Sequence, residues 1–215
     1  EALAREEGAT LFMTLMAGFQ LLLSRYSGQR DFIVGTPIAN RTREEVEGLI
    51  GFFVNTLPLR AHLRDGASFR EVVRQVRDRA LGAYAHQELP FEKLVEELHV
   101  ERALSHGPLV QVMFALQNAP GTLPQLPGLQ VQAMELQTPT SKFDLTLALT
   151  EAPEGLSGTF EYATSLFEAR TVERMADHFR RLLDGALHQP DAAIQALPWL
   201  SEAERQQVLT AWNDT

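Results

Sequence analysis

Three stretches of this chain alternate between apolar and polar residues, which predicts strands with one buried face. The most regular covers residues 143–150, where Phe or Leu occupies every second position, and the others cover residues 53–63 and 110–116. A turn at residues 151–155 follows the stretch 143–150 and predicts residues 156–162 as the hairpin partner of that stretch. The chain therefore needs a sheet whose apolar face is covered by other elements.

Apolar residues at helical spacing predict that cover. Thr10 is a suitable cap for the first helix and Gly28 a suitable end, while Ser68 and Glu71 form a capping box for the second. Pro90 predicts the start of a short third helix. The predicted helices cover residues 10–28, 68–87, 90–98, 172–183 and 201–212.

Further strands are predicted over residues 31–39 and 129–136, and a helical turn over residues 44–49. The third helix is expected to bury its apolar residues, Phe91, Leu94, Val95 and Leu98. The sum is a mixed α/β domain of about six strands, with helices packed on the sheet and an extended tail from about Pro190.

Composition and motif searches exclude several classes of function. The 215 residues carry a net charge of −9 and no cysteine, which argues against nucleic-acid binding and excludes disulfides and thiolate chemistry. None of the six histidines is adjacent to another, and phosphate loops and a G-x-S-x-G motif are absent. We expect neither a metal site nor a self-contained active site, and no apolar run is long enough to span a membrane.

The stretch IGFFVNTLPLR places a polar residue in the middle of an apolar strand face. Counting by twos from Phe53, Asn55 shares one face with leucines, while the face that begins with Phe52 and Val54 becomes polar toward Arg60. A buried amide without partners costs about 1–3 kcal/mol. Either the fold or a bound substrate must therefore satisfy Asn55.

Two later stretches allow ordinary structural interpretations. HQELPFE, at residues 86–92, is typical of a helix end, a turn and a helix started by proline, with Phe91 in the core. RALSHGPL, at residues 102–109, is typical of a turn in which Ser105 bonds nearby backbone. Spacing alone does not separate these interpretations from functional ones.

IGFFVNTLPLR, HQELPFE and RALSHGPL resemble, in this order, the fifth, sixth and seventh core motifs of nonribosomal peptide synthetase condensation domains. The matching positions are Gly51, Phe53, Val54, Asn55, Thr56, Arg60, Gln87, Pro90, Phe91, Glu92, Arg102, Ser105, Pro108 and Leu109. The departures from the commoner family residues are Glu88, Leu89, Ala103, His106 and Gly107. VGTPIANR and SKFDLTL also resemble family sequences, and the resemblance runs from about residue 10 to residue 190.

The resemblance implies one lobe of a two-lobed domain, with the α/β fold of a chloramphenicol acetyltransferase-like lobe. The family's catalytic signature, two adjacent histidines followed three residues on by Asp-Gly, belongs to the N-terminal lobe and is absent from this sequence. Residues 1–190 therefore resemble the C-terminal subdomain, and residues 191–215 resemble the linker toward an adenylation domain. We expect the chain to be a piece of a longer protein.

The resemblance also implies a function. In such domains, a donor acyl or peptidyl thioester and an acceptor aminoacyl thioester meet in a tunnel between the lobes and form an amide. Both arrive on the 4'-phosphopantetheine of peptidyl carrier proteins, so no directly bound cofactor is expected. The implied partners are the N-terminal lobe, carrier proteins and the adjacent adenylation domain, in a cytoplasmic setting, and the chain alone is expected to be inactive.

Other interpretations stay open at this point. The lobe can instead be a non-catalytic scaffold that docks a carrier protein or the adenylation domain, and the departures in the seventh motif leave room for this. A related epimerisation or heterocyclisation domain is a further alternative, and the adenylation-like linker argues against epimerisation.

Candidate residues for the tunnel or the lobe interface follow from the resemblance. They are Thr36, Asn40, Arg41, Gly51, Asn55, Thr56, Gln87, Pro90, Phe91, Ser141 and Asp144. We expect Asn55 to serve a structural network rather than touch substrate, and Arg41 to meet a substrate anion or form a surface ion pair. SKFDL and the following hairpin are candidates for the segment that bridges the lobes. A separated lobe should expose apolar surface, so we expect it to dimerise or aggregate.

Overall fold

A computed structural model describes residues 1–41, 43–99, 107–117, 126, 128–131, 140–152 and 155–213. Within them, five strands form one mixed sheet in the order β2-β1-β3-β4-β5. The strands are β1 (Asp31–Ile38), β2 (Asn55–His62), β3 (Val112–Gln117), β4 (Leu145–Ala152) and β5 (Gly155–Tyr162). The helices are α1 (Ala2–Glu6), α2 (Leu11–Ser27), α3 (Glu44–Glu47), α4 (Phe69–Tyr84), α5 (Phe91–Glu97), α6 (Ala169–His188) and α7 (Glu202–Gln206).

The sheet combines two antiparallel pairs with a parallel centre. β1 pairs with β2 along its whole length, and β4 pairs with β5 as the predicted hairpin. β3 lies parallel to β4 over six residues but meets its other neighbour, β1, at a single register pair, Gly35 and Met113. A Cβ on Gly35 would lie 2.5 Å from Met113 Sδ and 2.6 Å from Val110 Cγ1, so a larger residue here would force these two side chains to move.

The core lies between the sheet and the helices on one of its faces. Every second residue of β4, from Leu145 to Leu149, is buried there, as the alternation predicted. The central helix α2 is buried for most of its length and packs its Phe19 against Phe114 of β3. Gly18 allows α6 to approach α2, because a Cβ at this position would lie 2.4 Å from Leu183 Cδ2.

The predicted helix caps are confirmed, although α4 ends at Tyr84 rather than near residue 87. Thr10 and Ser68 cap α2 and α4 with capping boxes, and Gly28 ends α2 in the left-handed conformation. Ser201 caps α7 in the same way, but this helix ends at Gln206 and continues as a single π-helical turn, Gln207–Ala211.

Three expectations need correction. β2 begins at Asn55, so Phe53 and Val54 precede the strand rather than belong to it. Leu98 does not face inward, since it follows the short helix α5 and is 55% exposed. The tail is not extended free of the domain, because Ile194 and Leu197 are buried in the core.

β2 is an edge strand, which fits the proline at position 58, and the turn Glu44–Glu47 is helical as predicted. Most of the strand predicted over residues 129–136 lies outside the described residues, and five strands are described where about six were expected.

One arginine joins two segments that are far apart in the sequence. The Arg70 guanidinium on α4 contacts the carboxylates of Glu6 and Glu7 near the start of the chain, and Nε lies 3.0 Å from Asp191 near its end. Glu7 is buried, and hydrogen bonds from Arg74 and Arg70 keep its pKa below the ordinary value. Residues 6–7 and residue 191 therefore meet at one corner of the structure.

In the described part of the chain, every helix is too short or too polar to cross a bilayer.

Candidate functional site

The pairing of β1 with β2 gathers most of the predicted site residues at one end of the sheet. Ile38, the last residue of β1, pairs with Asn55, the first residue of β2. The loop between α4 and α5 lies against this point, because the Asn55 side chain binds its backbone. Asn55 Nδ2 donates to Gln87 O at 2.9 Å and to Leu89 O at 2.8 Å.

The other half of the amide is occupied as well. Asn55 Oδ1 accepts hydrogen bonds from Phe91 N at 3.1 Å and from Thr56 N at 2.9 Å. An asparagine side chain offers two donors and two acceptor positions, and all four are used. The structural interpretation of Asn55 is therefore the one that the contacts support: it fixes HQELPFE to the start of β2.

Arg41 organises the loop between β1 and β2. Its Nη1 donates to the carbonyl oxygens of Val46, Glu47 and Leu49, the last at 2.9 Å, and so caps the end of α3. The Arg41 Cζ atom lies 4.4 Å from the centroid of the Phe53 ring. That ring covers Gly51, where a Cβ would approach Phe53 Cε2 to 3.0 Å.

These contacts differ from the surface ion pair expected for Arg41, and the contact with a substrate anion stays a prediction. Its partners are carbonyls and a ring, and no carboxylate pairs with it among the residues that the structure describes. The left-handed backbone of Asn40, with φ at 51°, turns the chain into this loop. Arg41 therefore shapes the loop, with its guanidinium already engaged.

The same loop exposes a cluster of large apolar side chains. Ile50 and Phe52 are almost completely exposed, and about half of Leu49 and Val54 is exposed. We call residues 49–54 the apolar loop. Large exposed apolar patches mark surfaces that another molecule or domain covers.

A cleft of about 700 Å³ opens beside the apolar loop, at the carboxyl ends of β1 and β3. It exists because these strands diverge beyond the Gly35–Met113 pair. The cleft is lined by Thr10, Leu11, Phe12, Thr36, Pro37, Ile38, Ala39, Val54, Tyr84, Ala115, Leu116 and Gln117. None of these side chains carries a formal charge at neutral pH, and burial raises the pKa of Tyr84 further.

The structure brings nine of the predicted site residues to this end of the sheet and separates two. The nine are Thr36, Asn40, Arg41, Gly51, Asn55, Thr56, Gln87, Pro90 and Phe91. Ser141 and Asp144 precede β4, where Asp144 N donates to Gln111 O at 3.0 Å. Because β4 runs parallel to β3, and β3 to β1, these two residues lie at the opposite end of the sheet, where these strands begin.

Sequence reasoning did not find several residues of this site. Thr10, Phe12, Tyr84 and Gln117 line the cleft but come from helix and strand ends that show no motif. Phe52 did carry a signal, since a large apolar residue on a strand face expected to be polar indicates a covered surface. Of the seventh motif, residues 102–106 lie outside the described residues.

The opposite end of the sheet holds a second cleft of about 520 Å³, which Phe32, Leu109 and Met175 help to line. Within the described ranges, no group of three or more His, Asp or Glu residues is arranged to hold a metal ion. The first cleft offers apolar contacts, amides and hydroxyls, and the second adds the carboxylate of Asp31.

Comparison with known proteins identifies the family. The model of the condensation domain family matches residues 1–209, so the chain belongs to that family. A linear gramicidin synthase polypeptide from Brevibacillus parabrevis is 57% identical over 216 residues, which cover 100% of this chain and 4% of that protein. The chain thus spans a small fraction of this relative's length.

Solved structures agree with this assignment. The complex of the X-domain and OxyB from teicoplanin biosynthesis matches with a TM-score of 0.84 and 28% identity over 93% of this chain and 44% of that one. The first condensation domain of the calcium-dependent antibiotic synthetase, in complex with a substrate analogue, matches with a TM-score of 0.74 and 26% identity, with the same coverage. The predicted fold class, a chloramphenicol acetyltransferase-like lobe with a mixed sheet, is confirmed.

Proposed function

We propose that residues 1–190 form the C-terminal lobe of a condensation domain in a nonribosomal peptide synthetase. The observation that carries the proposal is the coverage: 93% of this chain matches only 44% of a condensation-domain chain. The absence of adjacent histidines from the sequence fits the same division, since the family's catalytic signature belongs to the other lobe.

The lobe would take part in amide formation without supplying the catalytic histidine. Donor and acceptor thioesters would arrive on the 4'-phosphopantetheine of cytoplasmic carrier proteins. The end of the sheet that holds Asn55 would form one wall of the tunnel, and the apolar loop would meet the N-terminal lobe. The hairpin of β4 and β5, with Ser141 and Asp144 before it, remains our candidate for the segment that reaches across to that lobe.

A second function is favoured by the end of the chain, where residues 191–215 would lead into an adenylation domain. Val208, Leu209 and Trp212 follow α7 and are exposed. Such a row of apolar side chains fits docking of a following domain. In this alternative the lobe is a scaffold and the transfer reaction does not depend on it.

Co-expression with a histidine-bearing lobe tests the proposal. We expect the 215-residue chain alone to give no amide product with loaded donor and acceptor carriers. Addition of the N-terminal lobe from the matching linear gramicidin synthase should give turnover, and replacement of that lobe's histidine pair by alanine should abolish it. Turnover by the chain alone would contradict the half-site, and an intact complex without turnover would favour the scaffold.

A further inference from the structure

A buried histidine joins the end of the chain to the body of the lobe. His178 of α6 is 3% exposed. The Tyr26 hydroxyl on α2 lies 2.7 Å from its Nδ1 atom, and Oε1 of Glu204 on α7 lies 2.9 Å from its Nε2 atom. The Trp199 ring packs edge-on against the imidazole, with ring centroids 4.8 Å apart. One side chain therefore connects two helices of the core with α7.

The hydrogen-bond partners of His178 define its tautomer. Burial alone would raise the pKa of Glu204, but hydrogen bonds from Ser201 and His178 hold it at about 2, so at neutral pH the group is a carboxylate that only accepts. His178 Nε2 therefore carries the proton and donates to Glu204. Burial raises the pKa of Tyr26, so its hydroxyl is protonated and donates to Nδ1. The neutral ring satisfies both neighbours, and both of its nitrogens are paired.

Glu204 also caps the helix to which it belongs. Its Oε2 atom accepts hydrogen bonds from Ser201 N at 2.8 Å and from Ser201 Oγ at 2.6 Å, while Oε1 faces His178. One carboxylate therefore both starts α7 and holds it on the lobe. An amide side chain cannot do both, because only one of its two ends accepts hydrogen bonds.

The chain before α7 is attached to the same two helices of the core. Arg25 Nη2, in the last turn of α2, donates to Ile194 O at 2.6 Å and to Gln195 O at 2.9 Å. Pro198 lies against Gly185 of α6, where a Cβ would lie 3.0 Å from Pro198 Cδ. α2 and α6 therefore hold the tail before α7 and, through His178, α7 itself.

The contacts change after α7. Residues 207–213 are exposed. Trp212 N donates to Gln207 O at 3.0 Å, and Asn213 N donates to Thr210 O at 3.0 Å, so these hydrogen bonds lie within the turn itself. A π-helical turn is rare, and such turns occur frequently at functional sites. The polar attachment of the tail to the lobe, as far as the described residues provide it, therefore ends with α7.

We propose that His178 latches α7 to the lobe, so that the rigid domain continues to Gln206 and the movable connection of the chain begins in the π-helical turn, Gln207–Ala211. His178 is then a positioning residue that acts through Glu204. Opening of this latch would free α7 and lengthen the movable segment, which changes the reach of any body joined beyond the turn. The inference does not rest on the proposed function, because it concerns only how the tail is attached to the lobe.

Distances between two introduced spin labels test the latch, and the absence of native cysteine makes the labelling specific. The reference label is placed at Gly82→Cys on α4, where a side chain would meet open space. The second label is placed at Ala203→Cys on α7 or at Thr210→Cys in the turn, both exposed positions. Pulsed electron resonance should give a narrow distance distribution for the pair 82–203 and one at least about twice as broad for the pair 82–210.

Two variants open the latch, and a third is their control. His178→Phe keeps the ring beside Trp199 but loses both hydrogen bonds, and it should broaden the 82–203 distribution to the width of the 82–210 distribution. Glu204→Gln changes no residue of the core and should broaden it as well, which decides the test if His178→Phe does not fold. His188→Phe, at an exposed histidine of the same helix, should leave the distribution narrow.

Amide hydrogen exchange separates a latch from general destabilisation. In Glu204→Gln the amides of α7 should exchange at least about tenfold faster, while those of β4 stay unchanged. Equal acceleration in β4 would overturn the positioning role. So would a narrow 82–203 distribution in both latch variants, since apolar contacts alone would then hold α7. Equal widths for the two pairs in the unchanged chain would contradict the boundary at Gln206. These measurements need neither a carrier protein nor the other lobe, so their outcome is independent of turnover.

Discussion

The two halves of IGFFVNTLPLR behave differently although they are continuous in sequence. From Asn55 onward the chain is a strand whose apolar side chains are buried and whose amide is bonded four times. The apolar loop just before it leaves Ile50 and Phe52 in solvent. The polar groups of the second half are bonded within this domain, and the exposure of the first half predicts contact with another surface.

The largest effect should come from Asn55, because its removal leaves buried backbone groups without partners. Asn55→Ala should lower the free energy of unfolding by about 3 kcal/mol, measured by urea denaturation. Asn55→Asp keeps the shape but loses both donors, and it should cost a similar amount. Asn213→Ala, which removes exposed bonds to Val208 O and Leu209 O, should cost less than about 0.5 kcal/mol. A loss below about 1 kcal/mol for Asn55→Ala would remove the contrast between the two halves.

Acid provides a second test, because Asn55 bonds only to backbone while other parts of the domain depend on carboxylates. Burial alone would raise the pKa of Glu204, but hydrogen bonds from Ser201 and His178 hold it at about 2. A lowered pKa stabilises the folded state above the ordinary value of 4.5, and the contribution is lost as the pH falls toward 2.

Glu204→Gln should therefore cost about 1–2 kcal/mol at about pH 7 and nothing near pH 2. The cost of Asn55→Ala should be the same at both pH values if the protein stays folded. Chemical denaturation at several pH values measures both. A cost for Asn55→Ala that fell with pH would mean that an ionisable group takes part in its network.

Arg41 links the two halves and should have an intermediate effect. Arg41→Gln removes its bonds to the end of α3 and its contact with Phe53, and should cost about 1 kcal/mol. Arg43→Gln is the matched control, since Arg43 is exposed two residues away. Amide hydrogen exchange should quicken at residues 46–49 in the first variant and stay unchanged in the second. Equal exchange in both would show that Arg41 does not hold the loop.

The smallest effect on stability should come from the apolar loop. Ile50→Ser with Phe52→Ser should change the free energy of unfolding by less than about 0.5 kcal/mol, because both side chains are already in solvent. The same double variant should reduce self-association in sedimentation velocity and weaken binding to the N-terminal lobe. Leu166→Ser, at a residue exposed elsewhere, should do neither. A strict monomer at high concentration in the unchanged protein would count against the expected dimerisation.

Elements that depend on local pattern could be predicted from the sequence. The alternation of leucines in β4 defined its buried face, and the capping boxes at Ser68 and Ser201 defined the start of two helices. These signals are local, because capping groups lie within about four residues of each other and strand faces repeat every two residues.

Contacts between distant backbone groups could not be predicted. The sequence indicated that Asn55 needs partners, but carbonyls more than 30 residues away carry no side-chain signal. Ser141 and Asp144 were grouped with the other site residues because the order of motifs does not reveal strand direction. The parallel pairing of β3 and β4 places them at the opposite end of the sheet. Apolar character likewise predicts that another surface covers Phe52, but it does not identify that surface.

The corner at Arg70 bears on how such a domain can be exchanged between proteins. One guanidinium holds Glu6, Glu7 and Asp191, so the segment between residues 6 and 191 leaves its surroundings through adjacent points. A recombination event with both crossovers outside this corner would transfer the ion-pair cluster intact. One with a crossover between Glu7 and Asp191 would divide an ion-pair cluster between two parents, and the buried carboxylate of Glu7 would select for recipients that retain the arginines of α4.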